Sequence, residues 1–350
     1  MRTQSPPPRF TTQALSLAAT FACGALLIAC GGGGASGDTG TSGATPTGLT
    51  QDVATAEVAN ATSSGEDTAS AFDSAIDTTA SLAAAVAQPA AAESSSGLMH
   101  AMAAGSPSPV TGVTVDCAGG GTAVLSITGG TLASQLNGQL DAGEHYSVNF
   151  AQCKGATGSA QLDGGVEMDV VSADHGSSPS TSAINVTVTN LALTLPSGTA
   201  TLSGTASASR SVVTSNGTTT TTSHVTVPSA TLATAFNGRT GSFTLTNLDA
   251  TRTVTAVDGV VTGSQYSGHH ALSGTANGRS FSLNVATTGN ASYGANGALV
   301  SGTWTVVRPN ATIATTIAAG TVIVTVDEFN DGTIDHTWSF TTAQLNAAAG

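Results

Sequence analysis

The chain has 350 residues with 8 basic and 21 acidic side chains, a formal net charge of −13, and charged residues are only 8% of the whole. An acidic surface with no Lys/Arg cluster repels phosphate backbones, which excludes nucleic acid as a partner. Abundant Gly, Thr and Ser with 4% aromatic residues suit a turn-rich β-protein rather than a highly charged disordered polymer.

At the amino terminus, Arg2 and Arg9 precede an apolar stretch from about Ala14 to Ala29, the layout of a secretory signal. The stretch is short for a membrane span and is interrupted by Ser16 and Thr20. It ends in Leu27-Ile28-Ala29-Cys30, which resembles the lipobox of bacterial lipoproteins: a branched apolar residue, a tolerant position, a small residue, then cysteine. The resemblance implies a signal peptide over 1–29, cleavage between Ala29 and Cys30, a diacylglyceryl group on the Cys30 sulfur, and palmitate-type acylation of the new amino group. Two or three such chains, at about 0.8 kcal/mol per buried CH₂, anchor a protein stably to a membrane. Gly31 occupies the position where an Asp signals inner-membrane retention, so the resemblance implies the outer membrane, with periplasmic and surface faces both open. Loss of Arg2 and Arg9 leaves 6 bases against 21 acids, a charge of −15.

Residues 30–109 read as a Gly/Ala/Ser/Thr-rich tether. Within it, Ser64-Gly65-Glu66-Asp67 has capping-box spacing, and Phe72 and Ile76 share a helical face. Pro89 would stop such a helix, so a helix is expected at 65–88, poorly stable in isolation because its stripe is mostly alanine. The run from Ala83 to Pro109 resembles the Ser/Ala/Pro-rich O-glycosylated stretches of envelope proteins. Met99-His100-Ala101-Met102 offers ligands suited to Cu(I), but one short cluster without a second copy favours a plain linker and no metal site.

The folded domain is expected over 110–346. Eight Asn-Gly or Asp-Gly pairs fall there, at Asn137, Asp163, Asn216, Asn237, Asp258, Asn277, Asn296 and Asp331, each followed by glycine. Such pairs favour the positive φ angles of two-residue hairpin turns. The middle five recur at spacings of 21, 21, 19 and 19 residues. Two strands of about eight residues per period would make Pro228, Asn247, Gly268 and Gly289 intervening turns on the opposite edge. The expected fold is all-β: an up-and-down antiparallel meander of roughly a dozen strands, curled into a barrel, half-barrel or sandwich. Ile184, Val186 and Val188 share one face, as do Phe243 and Leu245, or Phe281, Leu283 and Val285. Asn190-Leu191 and Asn247-Leu248 break this alternation at matching points, where a bulge or strand end is expected. Outward threonines and serines, without aromatic girdles, speak against a transmembrane barrel.

Cys117 and Cys153 remain once Cys30 is lipidated and Cys23 removed. In an oxidising compartment two cysteines are expected to pair, in preference to free thiols or a metal pair. Gly119–Gly121 lacks a Lys-Ser/Thr partner and reads as a turn rather than a phosphate cradle. Asp327, Asp331, Gly332 and Asp335 fall at EF-hand positions one, five, six and nine, yet Phe329 and Trp338 occupy two ligand positions. A hairpin around Asn330-Asp331-Gly332, entered by Val322, Val324 and Val326 and left by Ile334, His336 and Trp338, is the simpler expectation.

Leu136 to Glu144 form a second acidic turn. Together with the glycines after Cys117 and the strand end Asn149-Phe150-Ala151-Gln152-Cys153, it resembles β-rich proteobacterial envelope lipoproteins over about 115–165. That resemblance brings no activity with it. His269-His270 is read as a solvated turn pair, with nickel or zinc capture the minor alternative. No nucleophile elbow or His-Glu-x-x-His pair occurs, so no catalytic or cofactor-binding residue is assigned. The leading expectation is a non-enzymatic structural or binding β-domain, offering its surface to a glycan, lipid or protein ligand. A lipid carrier resembling half-barrel lipoproteins is the alternative, and an envelope enzyme the third.

Overall fold

A computed structural model describes residues 51–87, 110–154, 160–176, 178–236, 239–276, 279–295 and 297–349. Fifteen strands form one antiparallel sheet: β1 (Val110–Asp116), β2 (Thr122–Gly129), β3 (Glu144–Lys154), β4 (Gln161–Asp174), β5 (Ser180–Leu195), β6 (Gly198–Ser215), β7 (Thr218–Phe236) and β8 (Arg239–Val257), then β9 (Val260–Ala276), β10 (Arg279–Thr287), β11 (Ala291–Gly294), β12 (Leu299–Arg308), β13 (Ala311–Ala318), β14 (Thr321–Glu328) and β15 (His336–Thr341). Neighbours in sequence are neighbours in the sheet, as expected of a meander. The exception is β10 with β11, which share one rung between β9 and β12. Among the described residues the helices are α1 (Gln51–Ala87), the single turn α2 (Leu132–Gln135) and α3 (Thr342–Ala349), which follows β15.

Strand length departs from expectation. β6 to β9 are 17 to 19 residues long, so a period near twenty is one long strand plus one turn. Successive marked turns therefore lie at opposite ends of the sheet. Asn216-Gly217 and Asp258-Gly259 close two-residue hairpins, with φ of 49° and 75° at the first pair and 49° and 80° at the second. The 237–238 and 277–278 pairs lie outside the described residues, flanked by the paired positions Phe236↔Arg239 and Ala276↔Arg279. Pro228, Asn247 and Gly268 are not turns; they lie inside β7, β8 and β9, while Gly289 separates β10 from β11. Asp163-Gly164 is not a turn either, since it lies within β4.

These interruptions share one physical origin, and at Asn190-Leu191 and Asn247-Leu248 it is the bulge that the broken alternation allowed. Asn190 and Asn247 have φ of 48° and 54° and sit at register shifts where β5 and β8 carry one extra residue. Gln152 (φ 50°) marks the same event in β3, and Pro228, which has no N–H to place in a ladder, marks it in β7. An extra residue reverses the alternation of faces, and the sequence reverses with it. Buried positions run Tyr146, Val148, Phe150 and then half-buried Cys153; Ile184, Val186, Val188 and then Leu191; Val225, Val227 and then Ala230; Phe243, Leu245 and then Leu248. Each gap of three returns the strand to the same core.

A glycine faces each bulge. A Cβ on Gly164 would meet the Asn190 carbonyl oxygen at 2.3 Å, and one on Gly121 would meet that of Gln152 at 1.9 Å. Gly204 stands against the Ser229–Ala230 backbone and Gly268 against the Asp249 carbonyl oxygen. Bulges bend and twist a sheet, and here the bent sheet curls around α1.

That helix corrects the expected 65–88 segment. It starts fourteen residues earlier, so Ser64-Gly65-Glu66-Asp67 lies within it rather than capping it, and it stops two residues before Pro89. Instead of belonging to a tether, it packs against β4, β7, β8, β9, β12, β13 and α3. Val58, Ala69, Phe72, Ile76, Thr79 and Ala83 are buried, at the three- and four-residue spacing of one helical face. Ala71, Ala75 and Leu82 add a second buried flank.

Cys117 and Cys153 are joined in a disulfide, with Cα atoms 5.4 Å apart. It ties the turn after β1 to the end of β3 across β2. Gly119 N–H donates to the Lys154 carbonyl and Lys154 N–H to that of Gly120, so Gly119–Gly121 is a turn folded onto a strand end.

Two outcomes test this account. Gly164→Ala should cost about 1–3 kcal/mol through collision and strain. Gly165→Ala, next in the strand, without a positive φ and with no atom closer than 3.9 Å to its Cβ, should change stability by less than about 1 kcal/mol; equal denaturation midpoints for the two variants would contradict the bulge role. Removing the disulfide by Cys117→Ser with Cys153→Ser should lower unfolding free energy by about 4 kcal/mol in the loop-entropy model, read from denaturant titration.

Candidate functional site

The strongest concentration of polar chemistry lies where α1 meets the concave face of the sheet. Arg210, Ser223, Arg252 and Tyr266 face one another in register across β6, β7, β8 and β9, forming one rank on the inner surface. Their positions share the parity of the buried residues Ala208, Val225, Ala250 and Leu272, so alternation turns them inward. Glu66, Asp73 and Asp77 of α1, spaced seven and four residues apart, meet this rank.

Arg210 donates from Nη1 to Asp77 Oδ1 at 2.7 Å, and Arg252 Nε stands 3.9 Å from Glu66 Oε1. Burial pushes the Asp73 carboxyl up to about 6; Asp77 adds to this, while Arg210, Arg252 and a hydrogen bond from Ser223 oppose it. Burial likewise raises Glu66, against hydrogen bonding by Tyr293 and the charge of Arg252. Desolvation therefore outweighs pairing at both acids.

Next to this rank, Ser64 Oγ and His270 Nε2 share a hydrogen bond of 2.8 Å, and both residues are buried. Burial, followed by the charge of His269, pushes the His270 imidazole down to about 4. His270 is therefore neutral at pH 7, and His269-His270 lies inside β9 rather than on the solvated turn expected for it. A hydroxyl–imidazole pair suggests nucleophilic chemistry, but among the described residues no carboxylate bonds His270 Nδ1, which has no partner there. Gly65 covers that side: a Cβ there would lie 2.8 Å from Nδ1 and 2.5 Å from the Tyr266 hydroxyl oxygen. The pair is a sealed docking contact between helix and strand. Sequence reading missed this site, although inward-facing Arg210 and Arg252 were its signal, because a charge at a core-parity position needs an opposite charge facing it.

The chain matches no family model, no curated protein and no solved structure.

The acidic turns are built from their own hydrogen bonds. Asp327 accepts from the N–H groups of Asp331 and Gly332 at 3.1 and 2.9 Å, Asp331 from that of Thr333, and Asp335 from that of Glu328. Its residues connect β14 to β15 as the hairpin reading expects, except that Ile334 lies in the connection and the strand begins at His336. Trp338 lies on β15, stacked on His336 with ring centroids 5.3 Å apart. In the turn from Leu136 to Glu144, buried Glu144 accepts from the Tyr146 hydroxyl and from Asp141 N–H, and burial raises the Tyr146 phenol. Among the described residues, no three His, Cys, Asp or Glu side chains are grouped to hold a metal ion. Ala29, Cys30, Met99, His100 and Met102 lie outside the described residues.

Opposite pH slopes check the helix–sheet junction. Asp73, raised when folded, binds its proton more tightly in the native state, so it adds stability as pH falls from 6 towards 4. His270, lowered when folded, resists protonation that the unfolded chain accepts, so it removes stability as pH falls from about 6.5 to 4. Asp73→Asn should therefore steepen the loss of melting temperature on acidification, and His270→Asn should lessen it. Parallel pH curves for the two variants would refute these assignments.

Proposed function

We propose that the chain is a lipid-anchored protein of the bacterial cell envelope, held to the outer membrane through Cys30, whose β-domain is a non-enzymatic structural or binding module. The Cys117–Cys153 disulfide carries this reading from the structural side, because such bonds persist in oxidising compartments outside the cytoplasm. It joins the Leu27-Ile28-Ala29-Cys30 sequence, whose chemistry requires export. The acidic, lysine-poor surface fits a protein or glycan ligand better than nucleic acid or an anionic headgroup. The alternative role of lipid carrier is weakened by α1, which packs against the concave face that such a ligand would use.

Membrane fractionation with palmitate labelling tests the anchor. The wild-type chain should sediment with membranes and take up label, whereas Cys30→Ser should lose the label and leave the membrane fraction. A Cys30→Ser chain still held in the membrane fraction would refute the reading.

A further inference from the structure

The meander leaves two sheet edges, β1 and β15, with no strand paired to their outer sides among the described residues. They differ in kind. β1 is blunted: its register shifts between Val110 and Val113, Gly112 has φ 67°, Val110 N–H is taken by Gln135 Oε1 and Gly112 N–H by Ser126 Oγ. β15 reads His-Thr-Trp-Ser-Phe-Thr, pairs with β14 in unbroken register, and carries no Lys, Pro or Gly to discourage a further strand.

Its hydrogen-bond parity can be worked out. Thr342 N–H donates to the Gly320 carbonyl in continuation of the β14–β15 register, so even-numbered residues of β15 direct their backbone groups to β14. Thr337, Ser339 and Thr341 direct theirs outward. The Thr341 N–H is capped by Gln344 Oε1 at 2.8 Å; Thr337 and Ser339 offer both a donor and an acceptor.

The geometry points to a second copy of this chain as the occupant of that edge, paired antiparallel about a two-fold axis at Ser339. In that register Ser339 meets its own copy through two main-chain hydrogen bonds, and Thr337 N–H reaches the partner's Thr341 carbonyl. Trp338 then opposes the partner's Phe340, and the reverse, at the closely spaced sites where aromatic cross-strand pairs interact best. Charge selects the antiparallel sense. The exposed acids Asp331 and Asp335 precede β15, and no acid follows it through α3. Two-fold pairing sets each acidic turn towards the amino terminus of the partner's α3, the positive end of that helix. Parallel pairing would set acid against acid.

Sedimentation equilibrium of the full chain, in detergent with micelles in excess, tests this. A concentration-dependent dimer is expected. Ser339→Pro deletes only an outward N–H, so it should keep the circular dichroism spectrum while weakening dimerisation by about tenfold or more, through two symmetry-related hydrogen bonds. Ser339→Asp and Ser339→Lys should each be monomeric alone and dimerise when mixed, which decides the matter if the proline variant fails to fold. A wild-type monomer at about 100 µM, where even a micromolar interface is populated, would overturn the proposal. So would dimers that persist in the proline and aspartate variants alike.

Discussion

The curvature of the sheet depends on a collision avoided. A bulge pushes a carbonyl or an extra Cα towards the neighbouring strand, and a Cβ at the facing position would lie within about 2–3 Å of it, well inside contact distance. Glycines at 121, 164, 204 and 268 remove that Cβ. Strands of nineteen residues can then bend part-way along their length while returning every apolar run to one face. Without the paired glycine the bulge would be excluded. Without the bulge, Leu191, Ala230 and Leu248 would point to solvent.

The concavity so formed is occupied by α1, and the helix is unusual in being enclosed without being apolar all round. No described side chain between 64 and 84 is exposed, yet the segment contains Ser64, Glu66, Asp73, Asp77 and Thr79. Alanine-rich faces let the helix approach the sheet closely, and Gly65 allows contact with Tyr266 and His270. The acids contribute little net stability, since both Glu66 and Asp73 are raised by burial. Their effect is on position. A helix whose apolar stripe is mostly alanine could slide or rotate against a smooth apolar surface at small cost, whereas Asp77 on Arg210 and Ser64 on His270 fix both its rotation and its height.

Much of this was legible in the sequence, and its misreadings have one cause. An Asx-Gly pair reports a backbone inclined to positive φ, which serves a hairpin turn and a bulge alike. Asn216-Gly217 is the first and Gly164, opposite Asn190, the second. The discriminating signal was parity. Phe243 and Leu245 followed by Leu248 keeps one face across a gap of three, which a strand can do only by bulging, whereas a turn would have reset the pattern. Of the two meanings open to the break at Asn247-Leu248, a bulge or a strand end, the bulge fuses pairs of eight-residue strands into the observed long ones. The helix was harder, because its burial is dictated by a concavity that exists only after the strands have curled. Its polar partners, Arg210 and Ser223, lie more than a hundred residues away in the chain.

Filling of the interior has a consequence for how such a domain would work on a membrane. Cys30 precedes the first residue of α1 by twenty-one positions, a reach of about 70 Å at full extension. On the anchoring proposed above, the attachment would lead not to a peripheral strand but to the helix that packs inside the sheet. The contacts that hold this helix to the sheet are the Asp77–Arg210 and Ser64–His270 pairs and the packing of Phe72. The β1 end is protected separately, by the disulfide across β2. With the concave side taken by its own helix, the domain presents to other molecules its serine- and threonine-rich outer face and the unguarded strand at its far edge.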